Sequence, residues 1–457
     1  MKVNLSSFKK RLLGDGIWVF SGQAAAAVVT LAGVRLLTEF IPPKIYGSVA
    51  LMIGLAVLFN SFLCAPFLQA AYRFYSEALC TGDIPVLRRT IYGLLSKSVT
   101  ALVVTILLGG IIYCSFRDVP YTAVVVLAGL LVVEIYRQLE LSFLGAARRQ
   151  RAVALWQTAE AFCRPSFAIL AVVLLGVTSG SVLLGYVAAT GGILLCMHLL
   201  PFKLEGIDNS NATGKVDEHL KKEIRRYALP LMPLALVGWV SSLSDRYIIG
   251  ILLGYEQVGI YSAAYGLINR AVLLACGIIT LTLLPVYNQA VSEQNSYVEA
   301  KVFRMWIVIT TTITAFSVMG VFFFKKWIAL LFLAEQYRSS AVLMPWFAAG
   351  FAGYGLACVF EGYLYAHKHT KALVLGHSIV AVTSIAVVIP MVIFWRLKGA
   401  AIGCTIYFMV HLIVMVCLTQ YLERKAKNKA KLNIDAGKYT VEEEQNFCCS
   451  AFNDEQR

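Results

Sequence analysis

The stretch WVSSLSDRYIIGILLGYEQVGIYSAAYG, residues 239–266, sets an aspartate and an arginine side by side in a run otherwise suited to hydrocarbon. Read as a helix, Gly238, Trp239, Ser242, Asp245, Arg246 and Ile249 share one stripe at spacings of three, four and seven. A charge at mid-bilayer costs roughly 2.5 to 3.5 kcal/mol on insertion scales. That cost predicts a stripe facing a wet cavity and not lipid. Neighbouring side chains point about 100° apart around a helix, so Asp245 and Arg246 are poorly placed to satisfy each other. Arg246 stands roughly 12 Å short of Gly254, at 1.5 Å per residue. The competing reading has Arg246 snorkelling outward while Asp245 pairs with a neighbouring helix.

The rest of the chain is built in the same way. Of its 457 residues 59% are apolar and 14% charged, and the mean hydropathy is +0.72. Soluble domains carry about a quarter of charged residues, so this is the composition of an all-α polytopic membrane protein. Runs of about 20 apolar residues, the length that crosses a bilayer, recur near 16–38, 46–70, 91–114, 120–144, 153–176, 181–202, 228–253, 258–285, 304–326, 341–366, 372–395 and 399–421. Twelve spans are expected.

The net charge of +14 raises the question of nucleic acid, and its placement answers it. RRQR (148–151), KKEIRR (221–226) and ERKAKNKAK (423–431) fall in alternate loops, on the same side as the N-terminus. The positive-inside rule then places both termini in the cytoplasm and the protein in the cytoplasmic membrane. No nucleic-acid partner is expected. Lys325, Lys326 and Arg338 run against the pattern, which leaves the hairpin 326–340 the least defined. The opening MKVNLSSFKKRLLGDG resembles a signal-peptide n-region, but its apolar run is long enough to stay as the first span. Eleven cysteines are scattered without a CxxC pair or a histidine spacing suited to a metal, and they read as small apolar filler. Cys448 and Cys449 are vicinal in the tail. No nucleotide loop or catalytic triad is present, so neither a cofactor nor an enzyme is expected.

The longest interior polar break, 203–227, divides six spans from six. It separates an N-terminal lobe (1–202) from a C-terminal lobe (228–421), with a basic and partly disordered tail (422–457). Laying 46–78 over 258–290 without a gap pairs Gly47 with Gly259, Gly54 with Gly266, Cys64 with Cys276 and Tyr75 with Tyr287. One residue of slack sets Arg35 opposite Arg246. Lobes repeated in the same sense are related by an axis along the membrane normal, and substrate sits between them. Chance similarity of two apolar segments is the alternative.

Other spans carry buried polarity. Trp156, Glu160 and Arg164 are four apart, so either a self-neutralised pair or a binding face is expected there. Tyr354, Glu361 and Tyr365 share a face, as do Tyr261, Tyr265 and Asn269, with Arg270 beside them. Arginines 35, 137, 164, 246 and 270, with Lys97, outweigh Glu134, Glu140, Glu160, Asp245 and Glu361 in chemistry suited to an anionic ligand. The candidate anion-binding residues are therefore Arg246, Arg35, Arg270, Arg137 and Arg164. Trp239, Tyr261, Tyr265, Asn269 and Tyr354 are the candidates to face the rest of the ligand, and Asp245, Glu160 and Glu361 the candidates for coupling to a proton or sodium ion.

At these residues the chain resembles a family. SLSDRYIIGILLGYEQVGIYSAAYGL is similar to the seventh and eighth spans of polysaccharide-repeat flippases, the Wzx-type members of the multidrug/oligosaccharidyl-lipid/polysaccharide exporter superfamily. IPPKIYGSVALMIGL with APFLQAAYRFYSEA resembles their first-to-second span, and LYAHKHTKALVLGHS with LKGAAIGCTIYFMV their last three. The resemblance implies two lobes around a cavity that opens to alternate sides. It also implies a polyprenyl-pyrophosphate-linked oligosaccharide as substrate, membrane lipid around it, and a polysaccharide polymerase and glycosyltransferases as working partners. A drug or metabolite antiporter of the same superfamily is the competing expectation, and predicts an apolar or acidic cavity. A non-transporting scaffold for polysaccharide assembly predicts no buried charge.

Overall fold

The computed structural model describes residues 22, 25–116, 121–199, 218–229 and 232–454. These are helical almost throughout and include no strand. Helix α1 covers residues 25–40. After it α2 (Pro43–Phe59) continues through a π turn (Asn60–Cys64) into α3 (Ala65–Thr81). Pro66 lacks the N–H that an α-helix would aim at Phe62, and the chain widens into the π turn just ahead of it. Then come α4 (Ile84–Phe116), α5 (Tyr121–Ala146), α6 (Gln150–Leu175) and α7 (Ser179–Leu199). The second half holds the short α8 (Glu218–Ala228), α9 (Met232–Leu252), α10 (Tyr255–Ser292), α11 (Ser296–Phe332), α12 (Met344–Ala366) and α13 (Thr370–Asp454).

Ten of these stretches are long and apolar enough to cross a membrane. The tenth, Thr370–Lys425, is two limbs meeting at Arg396, where φ 51° and ψ −134° leave the helical path. With α1 as the described part of the first span, the order of spans is the one the sequence predicts. The ninth differs in extent. It begins at Ser296, where the Asn295 side chain accepts from the Val298 N–H at 3.1 Å, and runs through Lys325 and Lys326 to Phe332. Exposed Phe322, Phe323, Phe324 and Trp327 surround the lysine pair, and the Lys325 ammonium lies 5.2 Å from the Phe322 ring. Such stems lie along apolar surface while their heads reach water, which is why two charges do not end the helix. The interior of the polar break, 203–217, lies outside the described residues. Its end forms α8, which buries Ile224 and Ala228 in the core of the N-terminal half, between α3 and α4.

The two halves meet at the end of the bundle that carries the α1–α2 and α9–α10 turns. Gly254, at φ 90°, makes the second of those turns in a conformation that costs other residues a steric clash. One turn later α10 packs backbone to backbone on α2. A Cβ on Gly47 would stand 1.9 Å from the Tyr255 carbonyl oxygen, and one on Gly259 2.0 Å from that of Pro43. The segment after α11, a 3-10 helix over Glu335–Val342, closes over this contact. Ala334 N–H donates to Thr38 Oγ1 at 3.2 Å, the Tyr337 hydroxyl to the Ile41 carbonyl at 2.6 Å, and the Tyr46 and Tyr337 rings meet edge to face. Trp239 Nε1–H donates to the Gly54 carbonyl, and the Tyr247 hydroxyl to that of Leu51, each at 2.8 Å.

Candidate functional site

Directly beneath that closed end lies a cavity of about 620 Å³ between the halves. Its wall is drawn from α1, α2, α5, α6, α7, α9 and α10. Four arginines reach it: Arg137, Arg164, Arg246 and Arg270. Glu160 is the one carboxylate among its lining residues, and Tyr46, Tyr186 and Gln157 supply aromatic and amide surface. Pro165, also on the wall, cannot donate to the Ala161 carbonyl one turn earlier, so that carbonyl loses its usual helical donor.

The four guanidiniums divide into two kinds. Arg137 bonds Glu134 and Glu160, each at 2.7 Å. Arg164 pairs with Glu134 and, at 3.1 Å, with Glu160, and its Nε donates to Thr190 Oγ1. Two arginines and two glutamates thus close a neutral ring across α5 and α6. Charges removed from water are tolerated when each is matched and hydrogen-bonded. The ring holds Arg137, Arg164 and Glu160 in one ion-paired unit on the cavity wall.

Arg246 and Arg270 form no ion pair among the described residues. Arg246 lies over the Tyr265 ring, Cζ 4.5 Å from its centroid, and its Nε is buried without a hydrogen-bond partner. Cation–π contact of this kind is worth about 0.5 to 2 kcal/mol and fixes the plane of the guanidinium while leaving its outer edge for a ligand. Arg270 is exposed on the cavity side of α10. Asp245 does not share the cavity. It is 1% exposed, accepting the Tyr261 hydroxyl at 2.5 Å and the Arg246 backbone N–H at 2.7 Å. The expectation that the whole stripe faces water is therefore corrected: Arg246 turns to the cavity, while Asp245 and Ile249 are buried against the second half. The unsatisfied carboxylate found its donor on the next helix.

The sequence profile of polysaccharide biosynthesis proteins matches residues 12–291, more than half of the chain. The chain belongs to that family. No curated protein matches it. Among solved structures this polysaccharide biosynthesis protein is similar to the lipid II flippase MurJ in an inward closed conformation, with a TM-score of 0.69 at 13% identity, covering 89% of this chain and 87% of that one. An inward-facing multidrug resistance MATE family transporter of the MOP superfamily gives 0.64 at 16% identity, covering 91% and 94%. The MATE transporter VcmN of Vibrio cholerae gives 0.63 at 10% identity, covering 92% and 98%. At such identities the shared property is the fold. With ten stretches long and apolar enough to cross a bilayer, this family member is a multi-pass membrane protein.

The remaining sequence candidates fall elsewhere. Arg35 is off the cavity wall and pairs with Glu39 at 3.0 Å, one turn along α1. Tyr261 and Tyr265 are 0% and 4% exposed, packed on Phe347 in the core of the second half, so they brace Asp245 and Arg246 from behind. Trp239 is spent on the Gly54 carbonyl. Asn269 is half-buried on α10 and not among the lining residues, and Tyr354 packs against Phe408 and His411. Glu361 sits beside two histidines, apart from the cavity. The aromatic wall of this polysaccharide biosynthesis protein is instead Tyr46 and Tyr186, with Arg164 5.9 Å from the Tyr186 ring. Tyr46 lies in the repeated segment and carried that much signal. Tyr186 carried none.

Proposed function

We propose that the protein is a flippase that moves a polyprenyl-pyrophosphate-linked oligosaccharide from the cytoplasmic to the outer leaflet, for capsule, O-antigen or exopolysaccharide synthesis. The observation that carries this reading is the pair of arginines that form no side-chain ion pair among the described residues, Arg246 and Arg270, on a cavity wall that also holds Tyr46 and Tyr186. Guanidinium forks suit a pyrophosphate and aromatic faces suit sugar rings, while the prenyl chain stays in lipid. Affinity drawn mainly from the phosphates gives relaxed selectivity for the glycan. The lobes are residues 1–202 and 228–421, with the basic loop and tail cytoplasmic. In that orientation the closed end faces outward and the cavity waits for cargo from the cytoplasm. A polymerase and glycosyltransferases act before and after it, and Asp245, Glu160 and Glu361 are the acids available for coupling to protons or sodium. A cation-exporting antiporter is disfavoured by a cavity wall with four guanidiniums and one carboxylate. A scaffold has no use for them.

The test is transfer of a pyrophosphate-linked glycan across proteoliposome membranes by the purified protein. Transfer of this anion, and none of cationic drugs, is the expected result. Drug export without glycan transfer would sink the reading in favour of the antiporter.

A further inference from the structure

Away from the cavity, the second half buries a second polar cluster. Glu361 on α12, His377 on the first limb of α13 and His411 on the second limb come together from three different spans. Glu361 Oε1 lies 3.4 Å from His377 Nε2 and 3.0 Å from His411 Nε2, and one ligand atom from each residue lies within 4.8 Å of the other two. His411 is 1% exposed. Both of its ring nitrogens and Glu361 Oε1 are buried without a hydrogen-bond partner, because the 3.0 Å contact is not aligned with a ring N–H. Three polar groups therefore converge within the spans and satisfy one another poorly, where an unmet polar group is costly.

We propose that Glu361, His377 and His411 form a binding site for one divalent transition-metal ion of the zinc class. Zinc takes imidazole nitrogen and carboxylate oxygen at about 2.0 to 2.2 Å, so its ligand atoms stand roughly 3.3 Å apart along the edges of a tetrahedron. The two carboxylate–imidazole separations, 3.4 and 3.0 Å, already have that length. Two nitrogens and one oxygen favour zinc, cobalt or nickel over sodium or magnesium, which prefer oxygen alone. The ion would take Glu361 Oε1 and His411 Nε2 at once, leaving only the far ring nitrogen of His411 without a partner. It would also tie α12 to both limbs of α13, so that these three spans move as one block.

Purified protein, stripped with a chelator and then titrated with Zn²⁺ or Co²⁺, tests this. One ion per chain is expected, with visible Co²⁺ bands of nitrogen–oxygen tetrahedral character and a thermal shift that Mg²⁺ and Na⁺ do not give. Glu361→Gln, His377→Ala and His411→Ala should each weaken binding at least tenfold. Absence of stoichiometric binding by the parent protein overturns the proposal whether or not the variants fold. So does binding that survives all three substitutions, or a thiolate charge-transfer band placing the metal on cysteine.

Discussion

Gly47 and Gly259, which the internal alignment sets at equivalent positions, touch each other in the folded chain: a Cβ on Gly259 would stand 3.1 Å from the Gly47 nitrogen. Equivalent positions meet only where a symmetry axis passes between them, so this contact marks where an axis relating the halves would run. Gly54 and Gly266, the next equated pair, both line the cavity just below.

Gly47→Val places side-chain carbons where the Tyr255 carbonyl now sits, and overpacking of this kind costs about 1 to 3 kcal/mol. The closed end is expected to spring apart. Spin labels at Lys44 and Glu256 should report a longer distance than in the parent, with slower glycan transfer. Gly320→Ala, where a Cβ meets nothing within 4 Å, serves as the neutral control. An unchanged label distance in Gly47→Val would remove the contact from any role in closure.

Arg246→Ala should reduce glycan transfer about tenfold to a hundredfold, since a charged hydrogen bond is worth roughly 1.5 to 3 kcal/mol. Arg246→Lys keeps charge but loses both the fork and the flat stack on Tyr265, so it should fall between. Arg35 pairs with a half-exposed Glu39 off the cavity wall, and pairs of that kind contribute about 1 kcal/mol at most. Arg35→Ala should therefore cost less than about fivefold. Equal losses for Arg35→Ala and Arg246→Ala would contradict this division.

The ring of Glu134, Arg137, Glu160 and Arg164 predicts strong energetic coupling. Glu134→Gln alone leaves the buried Arg137 and the part-buried Arg164 short of charge, a situation that costs up to about 3 kcal/mol once the exposure of Arg164 is allowed for. Combining it with Arg164→Gln should destabilise by clearly less than the sum of the single changes. Thermal unfolding of the four proteins in detergent completes the cycle, and additive shifts would mean the ring is no unit.

Asp245→Asn retains an acceptor for the Arg246 N–H and removes the charge. Dependence of transfer on a proton or sodium gradient is expected to disappear while glycan binding persists. A variant that answers both gradients as the parent does would exclude Asp245 from coupling.

Orientation is tested by labelling in a background without other cysteines. Ser339→Cys, exposed in the segment that caps the closed end, should react with an impermeant reagent from outside intact cells. Glu218→Cys at the start of α8 should be protected. The reverse pattern inverts the protein in its membrane.

What the sequence made legible follows from how far a helix reaches along itself. Length and apolarity located the spans, and a spacing of four picked out the Glu160–Arg164 pair, which exists. Contacts between helices have no such signature. Asp245 meets Tyr261 across a turn, Arg137 meets Glu160 from another span, and Glu361 meets two histidines far along the chain. Tyr261 and Tyr265 were legible as a stripe but not in direction, because an aromatic face packs a core as readily as it lines a cavity. The ninth span, expected over 304–326, runs on from the lysine pair to Phe332, because a lysine stem is apolar and lets the helix continue.

The closed end is joined across the halves by four hydrogen bonds, Trp239 to Gly54, Tyr247 to Leu51, Tyr337 to Ile41 and Ala334 to Thr38. At about 0.5 to 1.5 kcal/mol each they sum to only a few kcal/mol. Lipid tails are as apolar as the side chains they would replace, so parting helices there carries little hydrophobic cost. A gap of that size leaves an alternative arrangement populated at roughly 0.1 to 10%. Thermal motion alone would then open and close this end, and an ion gradient would set the direction of net traffic without having to force the opening.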